Sequence, residues 1–273
     1  NSDDYRAYVG GTSGLIYGYV NDGFYTVADF EPFDSKSRSW KLKEGVVDSS
    51  PLSDTPRPGN AKFKKLTPVD PNSTNPYQLT EADRTVIGNT TPKFSGGFGL
   101  NATYKGFDMS MFFNFMYDFD VLNANKIMLT TWADNKENNF LMNIASDKRW
   151  RNFDDMGNEI RYSPEVLAEF NKNATMWNPT SIGRPICMSY AVEDGSFLRL
   201  NSATLGYTLP SVWTKKVGLS KVRFYVSGNN LFTLTGYSGY DPEVNIATGL
   251  TPNIDYNRYP RSRTYTFGAQ LTF

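Results

Sequence analysis

Few residues in this sequence could take part in covalent or metal chemistry. Histidine is absent, which removes histidine bases, Ser-His-Asp triads and most zinc sites. The single cysteine, Cys187, permits no internal disulfide and is most simply a small buried apolar residue. The acidic stretch DDMGNEI, residues 154–160, has some likeness to a calcium loop, but its spacing misses the EF-hand pattern. The sequence therefore predicts no catalytic, cofactor-binding or metal-binding residue.

A second set of residues could bind a ligand without reacting with it. These are large aromatic residues and one acid in segments that we predict to be external loops: Trp132, Trp150, Trp177, Tyr237, Tyr240 and Asp241. Aromatic rings at such positions could stack on sugar rings or on peptide, or anchor a partner protein. They could equally stiffen the loops themselves, and the sequence alone leaves both interpretations open.

The clearest element that could hold such loops is the segment KFSGGFGLNATYKGFDMSMFFNFMYDFD, residues 93–120. Large apolar residues alternate there with mostly small or polar ones, and Lys105-Gly106 divides the segment into two limbs. Side chains alternate across a strand with a period of two, so the pattern predicts a hairpin with one apolar face. Each limb has about the ~9–11 residues that a tilted strand needs to cross a bilayer. The apolar residues are Phe94, Phe98, Leu100, Ala102 and Tyr104, then Phe107, Met109, Met111, Phe113, Phe115, Tyr117 and Phe119.

The same alternation returns in three later segments, residues 196–210, 221–232 and 261–273. A short link joins the first two, whereas a long polar loop, residues 233–260, precedes the last. Short connections that alternate with long ones are typical of outer-membrane barrels. The core of a soluble β-sandwich is the alternative, but the small, polar character of the opposite faces favours lipid.

Composition excludes several other classes of protein. The 28 basic residues balance 28 acidic ones, so no overall charge would attract nucleic acid. No stretch approaches the ~18 consecutive apolar residues of a transmembrane helix. Residues 29–92 and 120–195 lack the alternation and are predicted as loops with short strands. Within the second region a helix is expected after Ser163, with Pro164 in its first turn.

Several stretches, taken together and in order, resemble one family. SGLIYGYVNDGFY (13–25), DGSFLRLNSATLGYTLP (194–210) and YPRSRTYTFGAQLTF (259–273) are among those similar to the end of SusC/RagA-like TonB-dependent transporters of Bacteroidota. The resemblance implies an all-β fold: a transmembrane antiparallel β-barrel of about 22 strands, with a plug in its lumen and long extracellular loops. Residues 1–273 would be the C-terminal part of that barrel, roughly eight strands, with the plug domain and the N-terminal strands absent.

The resemblance also implies a function and a set of partners. The whole protein would be a nutrient importer in the bacterial outer membrane, taking up oligosaccharides or peptides, with no enzymatic activity and no cofactor. A SusD-like lipoprotein would act as a lid, and the TonB complex would act through the missing plug. Outer-membrane lipids would surround the wall, and the barrel assembly machinery would recognise the last strand through Thr266, Gly268, Leu271 and Phe273. Gly268 would let backbones approach closely.

The sequence departs from the family in one respect. Family members commonly carry a calcium-like acidic glycine loop, but here Asn60 replaces an acidic residue, and TPVDPNSTNPYQLTEAD (67–83) replaces the loop. Only Asp70, Glu81 and Asp83 could supply oxygen ligands, so we predict no metal. Two alternative functions remain: a siderophore or cobalamin receptor of the same architecture, and a secreted β-rich glycan-binding module or hydrolase. The secreted module should fold without detergent.

Overall fold

The computed structural model describes residues 2–53, 55–131, 141, 148–244 and 251–273. Within these ranges the chain forms thirteen strands. They are β1 (Tyr5–Arg6), β2 (Leu15–Gly18), β3 (Asn21–Phe24), β4 (Ala61–Phe63), β5 (Thr85–Asn89), β6 (Phe94–Tyr104), β7 (Phe107–Tyr117), β8 (Asp120–Asn123), β9 (Val192–Asp194), β10 (Phe197–Thr208), β11 (Lys221–Thr235), β12 (Ile254–Asp255) and β13 (Thr264–Thr272).

Helices are short in the described part of the chain. The α-helices are α1 (Ala124–Met128), α2 (Pro164–Phe170) and α3 (Ser211–Thr214), and single 3₁₀ turns occur at Ser2–Asp4, Val27–Asp29, Glu81–Asp83, Pro179–Ser181, Ser189–Ala191 and Lys215–Val217. Helix α2 confirms the predicted one, with Ser163 at its N-cap and a proline in its first turn. None of the described helices has the length and apolar character needed to span a bilayer.

Five long strands form one antiparallel sheet, which we call the wall. Their order across the sheet is β13-β11-β10-β7-β6, so β10 lies at the centre. The wall confirms the predicted hairpin and the three later strands. It has five strands instead of roughly eight, because the rest of the described chain folds into short strands and loops. The second limb of the hairpin also ends earlier than expected, at Tyr117, because Asp118 adopts a left-handed conformation (φ 58°) and turns the chain away.

The wall has one apolar face and one polar face. Cross-strand register places Ala102, Met109, Leu205, Val226 and Phe267 in a single row that runs through all five strands. The row beside it holds Asn101, Ser110, Thr204, Ser227 and Thr266 on the opposite face. Apolar side chains on the first face remain open to the surroundings, with Leu205 48% exposed in the central strand. A continuous exposed apolar surface of this kind marks a face that contacts lipid or another protein.

Connections at the two ends of the wall differ in length. At one end, β6 and β7 are joined by Lys105 and Gly106, whose φ angles of 47° and 89° are those of a type I′ hairpin turn. The same end carries the short link between β10 and β11, residues 209–220. The long segments, residues 2–93, 118–196 and 236–263, are all joined to the wall at its opposite end. The alternation of short and long connections is therefore confirmed.

The described parts of these long segments pack together into what we call the loop layer. They bury side chains in several clusters, the largest of which includes Phe63, Trp177, Ile182 and Met188. A small sheet in which β8 lies between β9 and a parallel β12 joins two of the segments. The segments that carry no alternation in the sequence thus fold against one another as a packed layer.

Candidate functional site

The polar face of the wall carries an ion pair that spans three strands. Arg223 of β11 donates from Nε to Oδ1 of Asp108 on β7 at 2.9 Å, although β10 lies between the two strands. Gly206 makes this crossing possible, because a Cβ at that position would lie 2.4 Å from the Arg223 guanidinium. Thr204 and Ser227 share a hydrogen bond of 2.9 Å on the same face. The polar face therefore carries charged and hydrogen-bonding side chains.

The last strand presents the predicted assembly residues on both faces. Thr266 pairs with Ser227 on the polar face, whereas Leu271 pairs with Val222 on the apolar face. Phe273 follows the strand end and is almost fully exposed. Gly268 makes room for a side chain on the polar face, because a Cβ there would lie 2.3 Å from the Tyr225 ring; its expected role in close backbone approach stays a prediction.

The loop between β11 and β13 is held by a buried hydrogen-bond network. The Tyr237 hydroxyl donates to Asp255 Oδ2 at 2.7 Å, and the Asn125 amide donates to the other carboxylate oxygen at 3.2 Å. Burial raises the pKa of the Tyr237 phenol far above its usual range, and the neighbouring Asp255 carboxylate adds to the shift. Tyr237 therefore anchors the loop as a neutral donor, and its ring is not open to a ligand.

A second anchor connects the same loop to the wall. Arg199 on β10 is 2% exposed and donates from Nη2 to Asp241 Oδ1 at 2.5 Å. Glu243 lies 3.7 Å from the same nitrogen and pairs in turn with Arg261. Burial raises the pKa of Asp241, but its interactions with Arg199 outweigh burial and hold the pKa below its usual value. Asp241 is thus occupied by the wall.

Of the six predicted loop residues, the structure buries three aromatic rings. Trp150, Trp177 and Tyr237 are 3%, 2% and 6% exposed and belong to three separate hydrophobic clusters. This corrects the expectation that they face a substrate or a lid, because the buried rings pack against other parts of the loop layer. They correspond to the loop-stiffening interpretation. Trp132 lies outside the described residues.

Tyr240 is the predicted loop residue that presents its ring to the outside, at 84% exposure. It lines a cleft of about 270 Å³ together with Lys126, Leu141 and Ser238. Tyr237, Tyr240 and Asp241 therefore share one loop, in which two residues hold the chain in place and one projects. A role for Tyr240 in ligand or lid contact stays a prediction.

The Asp83 carboxylate holds two segments of the loop layer together by accepting hydrogen bonds from both. Asp83 is fully buried, and its carboxylate accepts hydrogen bonds from the backbone and hydroxyl of both Thr67 and Thr80, and from the Leu66 backbone, at 2.7–3.1 Å. Lys65 Nζ lies 3.4 Å away. Burial alone would raise the pKa of Asp83, but these hydrogen bonds outweigh it and hold the pKa far below its usual range.

The three acidic residues that could have supplied oxygen ligands to a cation do not come together around a common centre. Asp70 and Glu81 are exposed, whereas Asp83 is buried and surrounded by donors. Among the described residues, no group of three or more Asp, Glu, His or Cys side chains could hold a metal ion. The Thr80-x-x-Asp83 spacing is that of a capping box, a signal for the carboxylate's role that is visible in the sequence.

Comparison with known proteins finds sequence relatives among TonB-dependent receptors. No protein-family model matches the chain. The chain is 33% identical over 266 residues to TonB-dependent receptor P3 of Formosa agariphila, an alignment covering 95% of the chain and 22% of that receptor. It is also 38% identical over 88 residues to TonB-dependent receptor SusC of Bacteroides thetaiotaomicron, covering 31% of the chain and 8% of SusC. The chain thus spans under a quarter of the length of these relatives.

Solved structures share the fold. The RagAB peptide transporter superposes with a TM-score of 0.64 at 22% sequence identity, over 96% of this chain and 23% of the transporter chain. The RagAB peptide importer in its closed-closed state gives a TM-score of 0.58 at 23% identity, over 96% and 23% of the two chains. The wall and its loop layer therefore share the fold of about a quarter of the RagAB transporter chain.

Proposed function

We propose, from the premise that this chain belongs to the SusC/RagA-like TonB-dependent transporters, that the full-length protein imports oligosaccharides or peptides across the outer membrane. The chain is part of an outer-membrane protein and not of an enzyme. One observation carries the proposal: a wall of long antiparallel strands exposes an apolar face, while all its long connections are joined to it at one end. Lipid-facing barrels need both features.

Each part of the chain has a role in this proposal. The apolar face would contact outer-membrane lipids, and the polar face, with Asp108 and Arg223, would line the lumen. The loop layer would lie outside the cell, where Tyr240 could contact a substrate or a SusD-like lipoprotein lid. We place residues 1–273 in the C-terminal part of the barrel. The plug, through which the TonB complex would act, and the remaining strands would come from elsewhere in the full-length protein.

The exposed apolar face also separates this proposal from a secreted glycan-binding module. A soluble module would have to cover that face, which includes Leu205, Phe224 and Phe267, and these side chains are about half to four-fifths exposed. Both wall edges, β6 and β13, pair on one side only within the described chain. Open edges of this length promote aggregation in soluble proteins, whereas neighbouring strands of a closed barrel would pair with them.

Uptake by whole cells tests the proposed function. A strain that lacks the full-length protein should lose uptake of one class within a panel of fluorescently labelled oligosaccharides and peptides. Complementation should restore that uptake, and a protonophore should abolish it, because TonB-dependent transport requires energy. Uptake that survives both the deletion and the protonophore would contradict the proposal, as would recovery of the protein in the soluble extracellular fraction.

The last strand provides a separate test of barrel assembly. Phe273→Asp should sharply reduce the amount of full-length protein in the outer membrane while leaving synthesis and export intact. Phe273 is 89% exposed and makes little packing contact, so losing its ring should cost the finished barrel little stability. A strong defect would therefore report failed recognition by the assembly machinery. Phe267→Ala, at an equally exposed ring of the same strand, is the matched control, and normal abundance of Phe273→Asp would refute the assembly signal.

A further inference from the structure

An arginine-lined groove crosses the loop layer. It consists of two adjoining clefts of about 230 and 440 Å³ that share Asn152, Arg161 and Thr180. Five arginines line the groove: Arg38, Arg57, Arg149, Arg151 and Arg161. In a chain whose acidic and basic residues balance, this grouping concentrates positive charge at one place. We call it the arginine groove.

Part of this charge has no counter-ion in the described chain. Arg151 pairs with Asp155 at 2.7 Å, and Arg161 pairs with Glu159. Arg38 and Arg57 are exposed and form no ion pair with any described residue. Asp154, the acid that lines the groove, already accepts hydrogen bonds from Met156 and Asn158 within its own turn. Its carboxylate is therefore engaged, and the groove keeps a surplus of donors.

Arg57 is held in place by the segment around it. It lies between Pro56 and Pro58, which restrict the backbone on both sides. Gly59 follows with φ +90°, and a Cβ there would lie 2.1 Å from the Trp150 ring. The Gly59 backbone N–H donates to the Tyr25 carbonyl oxygen at 2.7 Å, and the Gly59 carbonyl accepts from the Asn178 N–H at 2.8 Å. The backbone that carries Arg57 is thus fixed in one turn, and its exposed guanidinium extends from a constant position.

Aromatic side chains line the groove beside the arginines. Trp150 borders one cleft, but its indole is 3% exposed and packs against Gly59, so it supports the turn and does not contact a ligand. A guanidinium is a donor only. Tyr162 and Trp40 line the other cleft, and the Arg38 guanidinium lies 5.2 Å from the centre of the Tyr162 ring. The groove therefore combines exposed guanidinium groups with partly exposed aromatic side chains.

We propose that the arginine groove binds anionic oligosaccharides that carry carboxylate or sulfate groups. The planar guanidinium fork matches these groups with two parallel hydrogen bonds, and aromatic faces suit the apolar faces of sugar rings. This inference rests on the proposed function and specifies its substrate class. A free peptide fits less well, because its N-terminal ammonium would meet arginines and no unengaged carboxylate among the described lining residues.

Binding to the purified full-length protein in detergent tests this assignment. The probes are a galacturonate tetramer, a sulfated galactose tetramer, a neutral glucose tetramer and tetraglutamate, each titrated by calorimetry. The carboxylated or the sulfated sugar should bind roughly tenfold or more tightly than the neutral one, and added salt should weaken that binding. Arg38→Ala combined with Arg57→Ala should weaken it by a further factor of about ten.

Matched variants separate charge from folding. Arg184→Ala removes an exposed arginine that lies outside the groove lining and should bind the anionic sugars like the wild type. Arg57→Lys keeps the charge but loses the fork, so its affinity should fall between those of the wild type and the double alanine variant. Because Arg38 and Arg57 are exposed, their alanine variants should keep normal outer-membrane abundance, which confirms folding before binding is measured.

The outcomes separate this inference from the proposed function. Equal binding of neutral and anionic sugars, or unchanged binding by the double alanine variant, would overturn the arginine groove as an anion site. Tighter binding of tetraglutamate would overturn the assignment to sugars. If the purified protein bound neither anionic sugar while cells still took up a neutral substrate, this substrate class alone would be refuted and the proposed import would stand. Groove binding without any uptake would instead refute the proposed importer.

Discussion

Leu205→Arg should remove most of the full-length protein from the outer membrane. Leu205 lies in β10, the central strand of the wall, within the row that also holds Met109 and Val226. A cation on a lipid-facing position near the bilayer midplane costs about 2–4 kcal/mol, falling towards zero near the interfaces. The measurement is abundance in the outer-membrane fraction, together with the mobility shift that folded barrels show on heating. Arginine at Phe98 or Phe113 should act in the same direction.

Thr204→Arg is the matched control, because it changes the adjacent residue of the same strand. Thr204 lies on the polar face and shares a hydrogen bond with Ser227. An arginine there would extend into the lumen, so abundance should fall much less than for Leu205→Arg. Equal loss for both variants would mean that both faces of the sheet are packed, as in a soluble sandwich.

Asp83→Asn should loosen the loop layer around residues 64–83. The asparagine amide would present N–H groups where the carboxylate now accepts from Thr67 and Thr80, and Lys65 would lose its counter-ion. Removing one member of a buried ionic network costs about 3–5 kcal/mol. The measurement is amide hydrogen exchange in this segment of the purified full-length protein, which reports local opening even when the barrel stays folded.

The Asp83 carboxylate should also make the stability of residues 64–83 depend on pH. The pKa of Asp83 is lower in the folded state than in the unfolded chain, so its contribution to stability is complete above about pH 4 and is lost as the pH falls below that value. Protection of residues 64–83 in the wild type should therefore decrease on acidification, and Asp83→Asn should remove most of that decrease. A chelator should leave protection unchanged, since protein donors surround the carboxylate.

Asp154→Asn is the control for Asp83→Asn. Asp154 also accepts several hydrogen bonds, from Met156 and from the backbone and side chain of Asn158, but it lies in an exposed turn. Water can replace those partners, so exchange around residue 154 should change only slightly. If Asp83→Asn were as mild as Asp154→Asn, burial would not be what makes the Asp83 carboxylate important.

Local pattern in the sequence was enough to predict the wall strands, the hairpin turn and the start of α2. Each depends on neighbours only a few residues apart: period-two alternation in β6 and β7, two residues that accept positive φ at Lys105-Gly106, and a cap before Pro164. Such signals act on the backbone before any long-range contact forms. For this reason the apolar face could be assigned to the correct side chains without a structure.

The position of Arg199 needed the tertiary structure. Strict alternation would put Arg199 on the same face as Ala203 and Leu205. An irregularity at Asn201 shifts the register, so that Arg199 lies opposite Asn114 on the polar face while Ala203 lies opposite Met111 on the apolar one. One extra residue in a strand inverts the faces beyond it, and the alternation carries no sign of it. The shift brings Arg199 to Asp241.

Burial in the loop layer was also beyond the sequence. Trp177 packs in a cluster with Tyr19 and Phe63, more than a hundred residues earlier in the chain, whereas Tyr240 remains exposed. The arginine groove likewise joins Arg57 to Arg161 from segments far apart in sequence. Residue type and local period determined which strands form and which face is apolar. Which loop side chains are buried, paired or free depends on contacts between distant segments, and only the folded chain decides those.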